Sequence, residues 1–378
     1  MSPEEKTLFE TPLCAESEKL SAFFGEWFGC RLPSRYGEIA AEIAAARQFV
    51  ALFDTNFRGF LSLSGPDRAR YLNAVTTADI KNLTEGQGNI GLLLNPQGHI
   101  LAEIETYALK EQLLIVSHAS VLSRTRETLD RFIIMDDCAL EDVSARFGSL
   151  AVEGPRAPAV VASLCGVALR SLPASMWSHA VVQIFGARCH LVRRSFYSRG
   201  EGHAGFEIFA EPGVLSAIWQ ALAGAARAQG GSPIGYDALN VLRLEAGIPW
   251  FGYDFDDRVL PHEAGVEISH ISYTKGCYTG QEIIERVRSR GHVNRNRVVL
   301  QFSEGENLKS GLPLLAGGKE VGHITSVGFS FNRNVLIGMG YVRRENGQPG
   351  SRLEWPGGTA EVIELPTTPS STPTTTCG

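Results

Sequence analysis

The chain has 378 residues, 44% hydrophobic and 20% charged, a composition that suits a globular protein of roughly two or three domains with a sizeable core. A formal charge of −6 and a pI near 5.9 exclude a global basic field for nucleic acid, so such a role would need a local patch. Seven cysteines (Cys14, Cys30, Cys138, Cys165, Cys189, Cys277 and Cys377) are dispersed singly with no CxxC pair, which argues against a zinc knuckle or ferredoxin-type cluster and suits reduced thiols in the cytoplasm.

The first residues lack the basic and apolar regions of a signal peptide, and no apolar run reaches the ~18 residues of a membrane span. Alanine-rich residues 38–47 predict a helix. Phe60–Leu63 reads as a short strand closed by Ser64-Gly65-Pro66-Asp67, with a helix from Pro66 to about Val75. Residues 89–94 are strand-like, Asn95-Pro96-Gln97-Gly98 is a turn, and strands follow at 99–109 and 112–118. A helix carries Leu122, Leu129, Phe132 and Ile133. Next come a strand at 148–153, a helix at 156–164, strands at 180–196 and 204–210, and helices at 213–228 and 236–246. This order, with several hairpins, predicts an α+β fold and not a simple parallel sheet. Beyond Gly291, residues 297–364 form short β-rich runs punctuated by Gly, Pro and Asn, the pattern of a small barrel or sandwich. Residues 366–378 are mostly Thr, Ser and Pro and are expected to be disordered, with Cys377 exposed and idle.

The most informative string is Lys275-Gly276-Cys277-Tyr278-Thr279-Gly280-Gln281-Glu282. Thr279 and Glu282 fit a capping box, and Ile283, Ile284 and Val287 give the helix that follows an apolar face. Cys277 then sits two residues before the N-cap, where the helix end and Lys275 both favour a thiolate. The plainer alternative is a tight glycine turn, a capped helix and a small buried cysteine.

This octapeptide resembles the signature of the YgfZ family, folate-binding relatives of the glycine-cleavage T-protein (GcvT), and the likeness runs through residues 35–365. The resemblance implies three domains around a central folate opening. They would comprise an N-terminal extension at 1–34 and a folate-binding region at 35–291, with 35–55 plus 145–291 interleaved with 56–144. A C-terminal β-barrel at 297–365 and the tail would follow. The cofactor implied is tetrahydrofolate. Gly205-Phe206-Glu207-Ile208 resembles the T-protein stretch whose Glu holds the pterin, so Glu207 is the expected pterin carboxylate, although strand alternation alone would as readily point it to solvent. Arg243, within Leu242-Arg243-Leu244-Glu245-Ala246-Gly247, is either a ligand contact or part of an ion-pair scaffold. Trp250 and Tyr278 are candidate ring contacts. The T-protein's first catalytic Asp corresponds to Ala102, and Glu103 is displaced by one residue, which on a regular strand turns it to the other face.

Three readings follow. The first is a tetrahydrofolate-binding accessory protein that supports iron–sulfur protein maturation or repair, tRNA-modifying enzymes among its clients, with Cys277 and Lys275 carrying the chemistry. The second is a folate-dependent aminomethyltransferase or demethylase with Glu103 as base. The third is a non-catalytic RNA- or protein-binding module using Arg286, Arg288, Arg290, Arg295 and Arg297.

Overall fold

The computed structural model describes residues 8–198 and 204–364. Two sheets share the first two-thirds of the chain. The six-stranded sheet has the order β11 (His179–Ile184), β12 (Ala187–Arg193), β13 (Ala204–Ala210), β10 (Gly148–Gly154), β4 (Ala51–Asp54), β14 (Ser232–Pro233). Both its faces are covered, so its strands are apolar on both sides. Leu150, Val152 and Ile208 pack on one face under α5 (Ala157–Cys165) and α6 (Pro212–Ala228), while Phe53 and Ala151 pack on the other with α2 (Ile39–Gln48) and α7 (Tyr236–Glu245). On α6, Leu215, Ile218, Trp219 and Leu222 recur at helical spacing and are at most 1% exposed, each burial contributing about 1.5–3 kcal/mol.

The five-stranded sheet has the order β6 (Gly88–Leu94), β7 (Ile100–Ala108), β8 (Gln112–His118), β5 (Arg58–Ser64), β9 (Ala139–Asp142). The chain passes from one sheet to the other at residues 55–57 and returns after β9, so Arg58 opens its strand at the seam between the sheets. Against the core-facing side of this sheet lie α3 (Arg68–Val75) and α4 (Leu122–Phe132). A closed six-stranded barrel follows, ordered β15 (Arg295–Phe302), β18 (Val335–Arg343), β17 (Lys319–Ser330), β16 (Pro313–Ala316), β19 (Arg352–Trp355), β20 (Gly358–Ile363). It docks on α7 at Gly328, where a Cβ would stand 3.1 Å from Leu244 Cδ1, so the bare backbone lets helix and barrel approach. No helix among the described residues is long and apolar enough to cross a membrane.

Three local readings need correction. Residues 1–34 were set apart as an extension, yet from Phe9 the chain is built into the fold: β1 (Phe9–Glu10), β2 (Phe23–Trp27) and β3 (Cys30–Arg35) form a sheet, with α1 (Cys14–Lys19) beside it. The run 180–196 is not one strand but the hairpin β11–β12, turning at Phe185-Gly186 with φ of 51° and 79°, the geometry of a two-residue primed turn. The expected capping box at Thr279 and Glu282 does not form. Gly280 is the N-cap of α10 (Gln281–Arg290) at φ 82°, with no side-chain cap bond, because the helix end rests on the 95–98 turn: a Cβ on Gly280 would lie 2.7 Å from Asn95 O. The tail expected to be disordered lies outside the described residues.

Candidate functional site

Where the two sheets meet α7 and the 248–270 segment, a cleft opens with a volume of about 880 Å³ including its mouth. Phe28, Phe57, Phe196, Trp250 and Phe251 supply aromatic walls, and Glu103, His118, Arg194 and His270 supply polar groups. Phe28 comes from the tip of the β2–β3 hairpin, where it adopts φ 54°, uncommon for a bulky residue, and stacks on Phe57 with ring centroids 4.2 Å apart.

Glu103 reaches this cleft through a bulge. In the β6–β7 pairing Leu93 faces Ala102 but Leu94 faces Ile100, leaving Leu101 unpaired. The extra residue resets the alternation. Ala102 and Ile104 enter the core with Leu72 and Leu93, while Ile100, ahead of the bulge, packs with Phe251 and Val259. Glu103 therefore lines the cleft, where the reading that makes it the base needs it, and not the opposite face that a regular strand would give it. Its Oε1 is 3.0 Å from His270 Nε2 and its Oε2 3.9 Å from His118 Nε2. Burial alone would raise this carboxyl, but the hydrogen bond and charge of His270 outweigh it and hold the group below its usual range. Burial pushes the His118 imidazole down to about 4, against the pull of Glu103.

Glu207 is placed differently from the expectation. It is 0% exposed and does not line the cleft. Arg58 donates from Nε to Glu207 Oε1 at 3.2 Å and from Nη2 to Oε2 at 3.1 Å, while its Nη1 donates to Glu105 Oε1 at 2.8 Å. Arg194 Nη1 bridges Glu105 and Glu207, and Tyr107 donates its hydroxyl to Glu105 Oε2 at 2.7 Å. Burial raises both carboxyls and Arg58 pulls them back. The outer member of this network is Arg194, stacked on Phe196 with its guanidinium carbon 4.2 Å from the ring centroid. Its Nε has no partner among the described residues.

Residues 13–271 match the GCVT N-terminal domain family, and residues 295–368 match the glycine cleavage T-protein C-terminal barrel domain. The chain belongs to the glycine cleavage T-protein family. It is 31% identical over 363 residues to the aminomethyltransferase of Saccharopolyspora erythraea, covering 94% of this chain and 97% of that protein. To the aminomethyltransferase of Streptomyces coelicolor it is 29% identical, covering 91% and 92%. The fold is also that of the glycine cleavage system aminomethyltransferase T from Bartonella henselae, with a TM-score of 0.85 at 24% identity over 95% of this chain and 98% of that one. Aminomethyltransferases of this family use tetrahydrofolate.

Of the other residues singled out in the sequence, Trp250 lines the cleft and Arg243 stands behind it. Arg243 is fully buried, donates from Nη1 to Asp254 Oδ2 at 2.5 Å, and lies 4.6 Å from the Trp250 ring centroid. It braces that wall and does not line the cleft. The ammonium of Lys275 is taken by three backbone carbonyls, those of Asn73, Thr76 and Ala78, so it clasps the segment after α3 instead of serving the thiol. Tyr278 is 7% exposed and packs in a core with Leu94, Ile100 and Ile284, not in the cleft. Cys277 is exposed and is not among the residues lining the cleft. The arginine run is split: Arg295 pairs with Glu263 at 3.1 Å and Arg297 donates to Ala264 O at 2.7 Å, so these two turn to the protein's own acceptors. Sequence reasoning missed His118, Arg194, Phe28 and His270 as cleft residues. The one available signal was a histidine closing the apolar run 113–118.

Proposed function

We propose that this protein is a tetrahydrofolate-dependent one-carbon transferase of the aminomethyltransferase type, with Glu103 as the carboxylate that works at the folate nitrogens. The observation that carries this reading is a carboxylate on the wall of an aromatic cleft, held 3.0 Å from His270 Nε2, in a chain of this family. The residues suit the cofactor. Aromatic walls take the faces of a pterin, a carboxylate accepts from its N–H edge, and the Arg194 guanidinium at the cleft wall suits its carbonyl. Bound tetrahydrofolate would supply the nitrogens that accept the one-carbon unit. Glu103 would exchange a proton there, which requires hydrogen-bond reach of the reacting atom. Glu207, committed to Arg58, would act by fixing Arg194 and not by gripping the ring. Calorimetric titration with tetrahydrofolate, wild type beside Glu103→Gln, tests the reading. Micromolar binding weakened by the substitution supports it, and no binding by the wild type would sink it.

One observation favours a second reading. Cys277, within the YgfZ-like octapeptide, is exposed and available to a partner. In this reading the protein is an accessory factor that binds tetrahydrofolate and supports iron–sulfur client proteins. Cys277→Ala should then abolish rescue of an iron–sulfur enzyme while leaving folate affinity intact; unchanged rescue would remove the thiol from the account. The internal pairing of Arg295 and Arg297 speaks against an RNA-binding module.

A further inference from the structure

His270 ends the short helix α9 (Glu267–His270) and is 8% exposed. Its backbone is fixed to the neighbouring sheet: Thr77 Oγ1 donates to His270 O at 2.6 Å, and Leu92 N donates to the same hydroxyl oxygen at 2.8 Å. The imidazole therefore has a set position, with Nε2 facing Glu103 Oε1 at 3.0 Å. The other ring nitrogen has two neighbours. Nδ1 lies 2.7 Å from Ser269 Oγ and 3.2 Å from Val266 O, and Ser269 Oγ is itself 3.2 Å from Val266 O.

Those distances satisfy the ring in two protonation states. A carbonyl only accepts, a hydroxyl both donates and accepts, and an ionised carboxylate only accepts. With His270 neutral, Nε2–H donates to Glu103 and Nδ1 accepts from the Ser269 hydroxyl. With His270 protonated, Nε2–H still donates to Glu103, Nδ1–H donates to Ser269 Oγ or to Val266 O, and the serine hydrogen turns to Val266 O. No buried polar atom of the ring is stranded in either state, so neither state bears the cost of an unmade buried hydrogen bond. Ser269 is exposed and also lines the cleft, which connects Nδ1 to water.

We propose that His270 is a positioning residue that holds Glu103 toward the cleft and exchanges one proton with water through Ser269, setting the charge beside that carboxylate. The exchange is a proton transfer only: the N–H bond at Nδ1 breaks, the proton passes by way of the serine hydroxyl to water, and the lone pair left on Nδ1 accepts the serine hydrogen. The pair thereby changes charge by one unit without moving a heavy atom. The charged and titratable groups around it are Glu103 and His118 on the five-stranded sheet, Arg58 behind them, Glu267 on the same short helix, and Arg194 across the cleft. This deepens the folate reading and rests on it for the ligand, although the proton chain exists without one.

Two measurements on the full chain test it. Nitrogen-15 NMR of the histidine side chains, assigned with His270→Gln, reports which ring nitrogen carries hydrogen. The expectation is Nε2–H for the neutral ring and two N–H signals once it is protonated. A neutral ring protonated at Nδ1 would overturn the proposal. Calorimetry of tetrahydrofolate binding in two buffers of different ionisation enthalpy then counts the protons exchanged. His270→Gln, whose amide can still donate to Glu103 but holds no exchangeable proton, should change the proton count across the pH range. An unchanged count would also overturn the proposal, because a merely structural histidine would leave it unmoved. If the wild type does not bind tetrahydrofolate, the folate reading fails while the NMR result still decides the proton chain.

Discussion

Replacing Arg58 by methionine perturbs the seam between the two sheets at its most charged point. The side chains of Arg58, Glu105 and Glu207 are each at most 1% exposed, and Arg58 makes three charge-assisted hydrogen bonds to the two carboxylates. Methionine is close to the arginine stem in volume, so the cavity contribution is small. What remains is two buried acids sharing the single cation of Arg194. Removing one partner of a buried ion pair costs about 3–5 kcal/mol, and the two acids, left with one cation between them, also repel each other. Protonation of one acid relieves part of this, so the net loss at neutral pH should be about 3–5 kcal/mol and should shrink as the pH is lowered. Urea unfolding followed by intrinsic fluorescence reads the change. Adding Glu207→Gln to Arg58→Met removes one of the opposed acids and should recover about half of the loss, a coupling of the size seen for residues in one network. A loss below about 1 kcal/mol, or no recovery in the double variant, would refute the reasoning and return Glu207 to the ligand.

Further outcomes follow from the same geometry. Lys275→Met leaves three carbonyls without their cation and should cost about 2–4 kcal/mol in stability; alkylation of Cys277 should stay within about twofold of wild type, and a larger change would restore Lys275 as the thiol's partner. Burial raises the Glu153 carboxyl to about 7 against the usual 4.5, with Asp54 likewise raised to about 6, so the folded state binds these protons more tightly than the unfolded chain. Their contribution is full below pH about 4.5 and is lost as the pH rises toward 7, so Glu153→Gln should flatten the fall in unfolding midpoint over that window, and an unchanged slope would contradict the assignment. Phe28→Ala should weaken tetrahydrofolate binding by about threefold to tenfold, the worth of one aromatic contact, while a tighter complex would mean that the ring obstructs the cleft.

The broad architecture was legible because it rests on local signals. Gly, Pro and Asn between short β-rich runs marked the barrel strands, and the strand-like runs at 89–94, 99–109 and 112–118, the first two split by the Asn95–Gly98 turn, marked β6 to β8. What stayed hidden depends on residues far apart or on one backbone irregularity. Nothing in Gly98-His99-Ile100-Leu101-Ala102-Glu103 announces that Leu101 bulges, yet that bulge decides whether Glu103 meets the cleft. Glu207 looked free because its partner Arg58 lies 149 residues away. Lys275 sat beside Cys277 in sequence, but its ammonium serves carbonyls some 200 residues earlier, as the 202-residue separation from Asn73 shows. The hairpin that delivers Phe28 was passed over because Phe28-Gly29 turns with a bulky residue at positive φ, where a glycine pair or Asn-Gly would have been recognisable.

The account stands on Glu103 as the working carboxylate of the cleft. The most direct measurement is the rate of methylene-tetrahydrofolate formation from saturating tetrahydrofolate and an aminomethyl donor, for wild type, Glu103→Gln and Glu103→Asp. The account predicts that Glu103→Gln falls by about 100-fold to 10,000-fold at the same folate occupancy, the usual contribution of a general acid or base, and that Glu103→Asp recovers part of the loss. Wild-type turnover with Glu103→Gln at the same rate would contradict it.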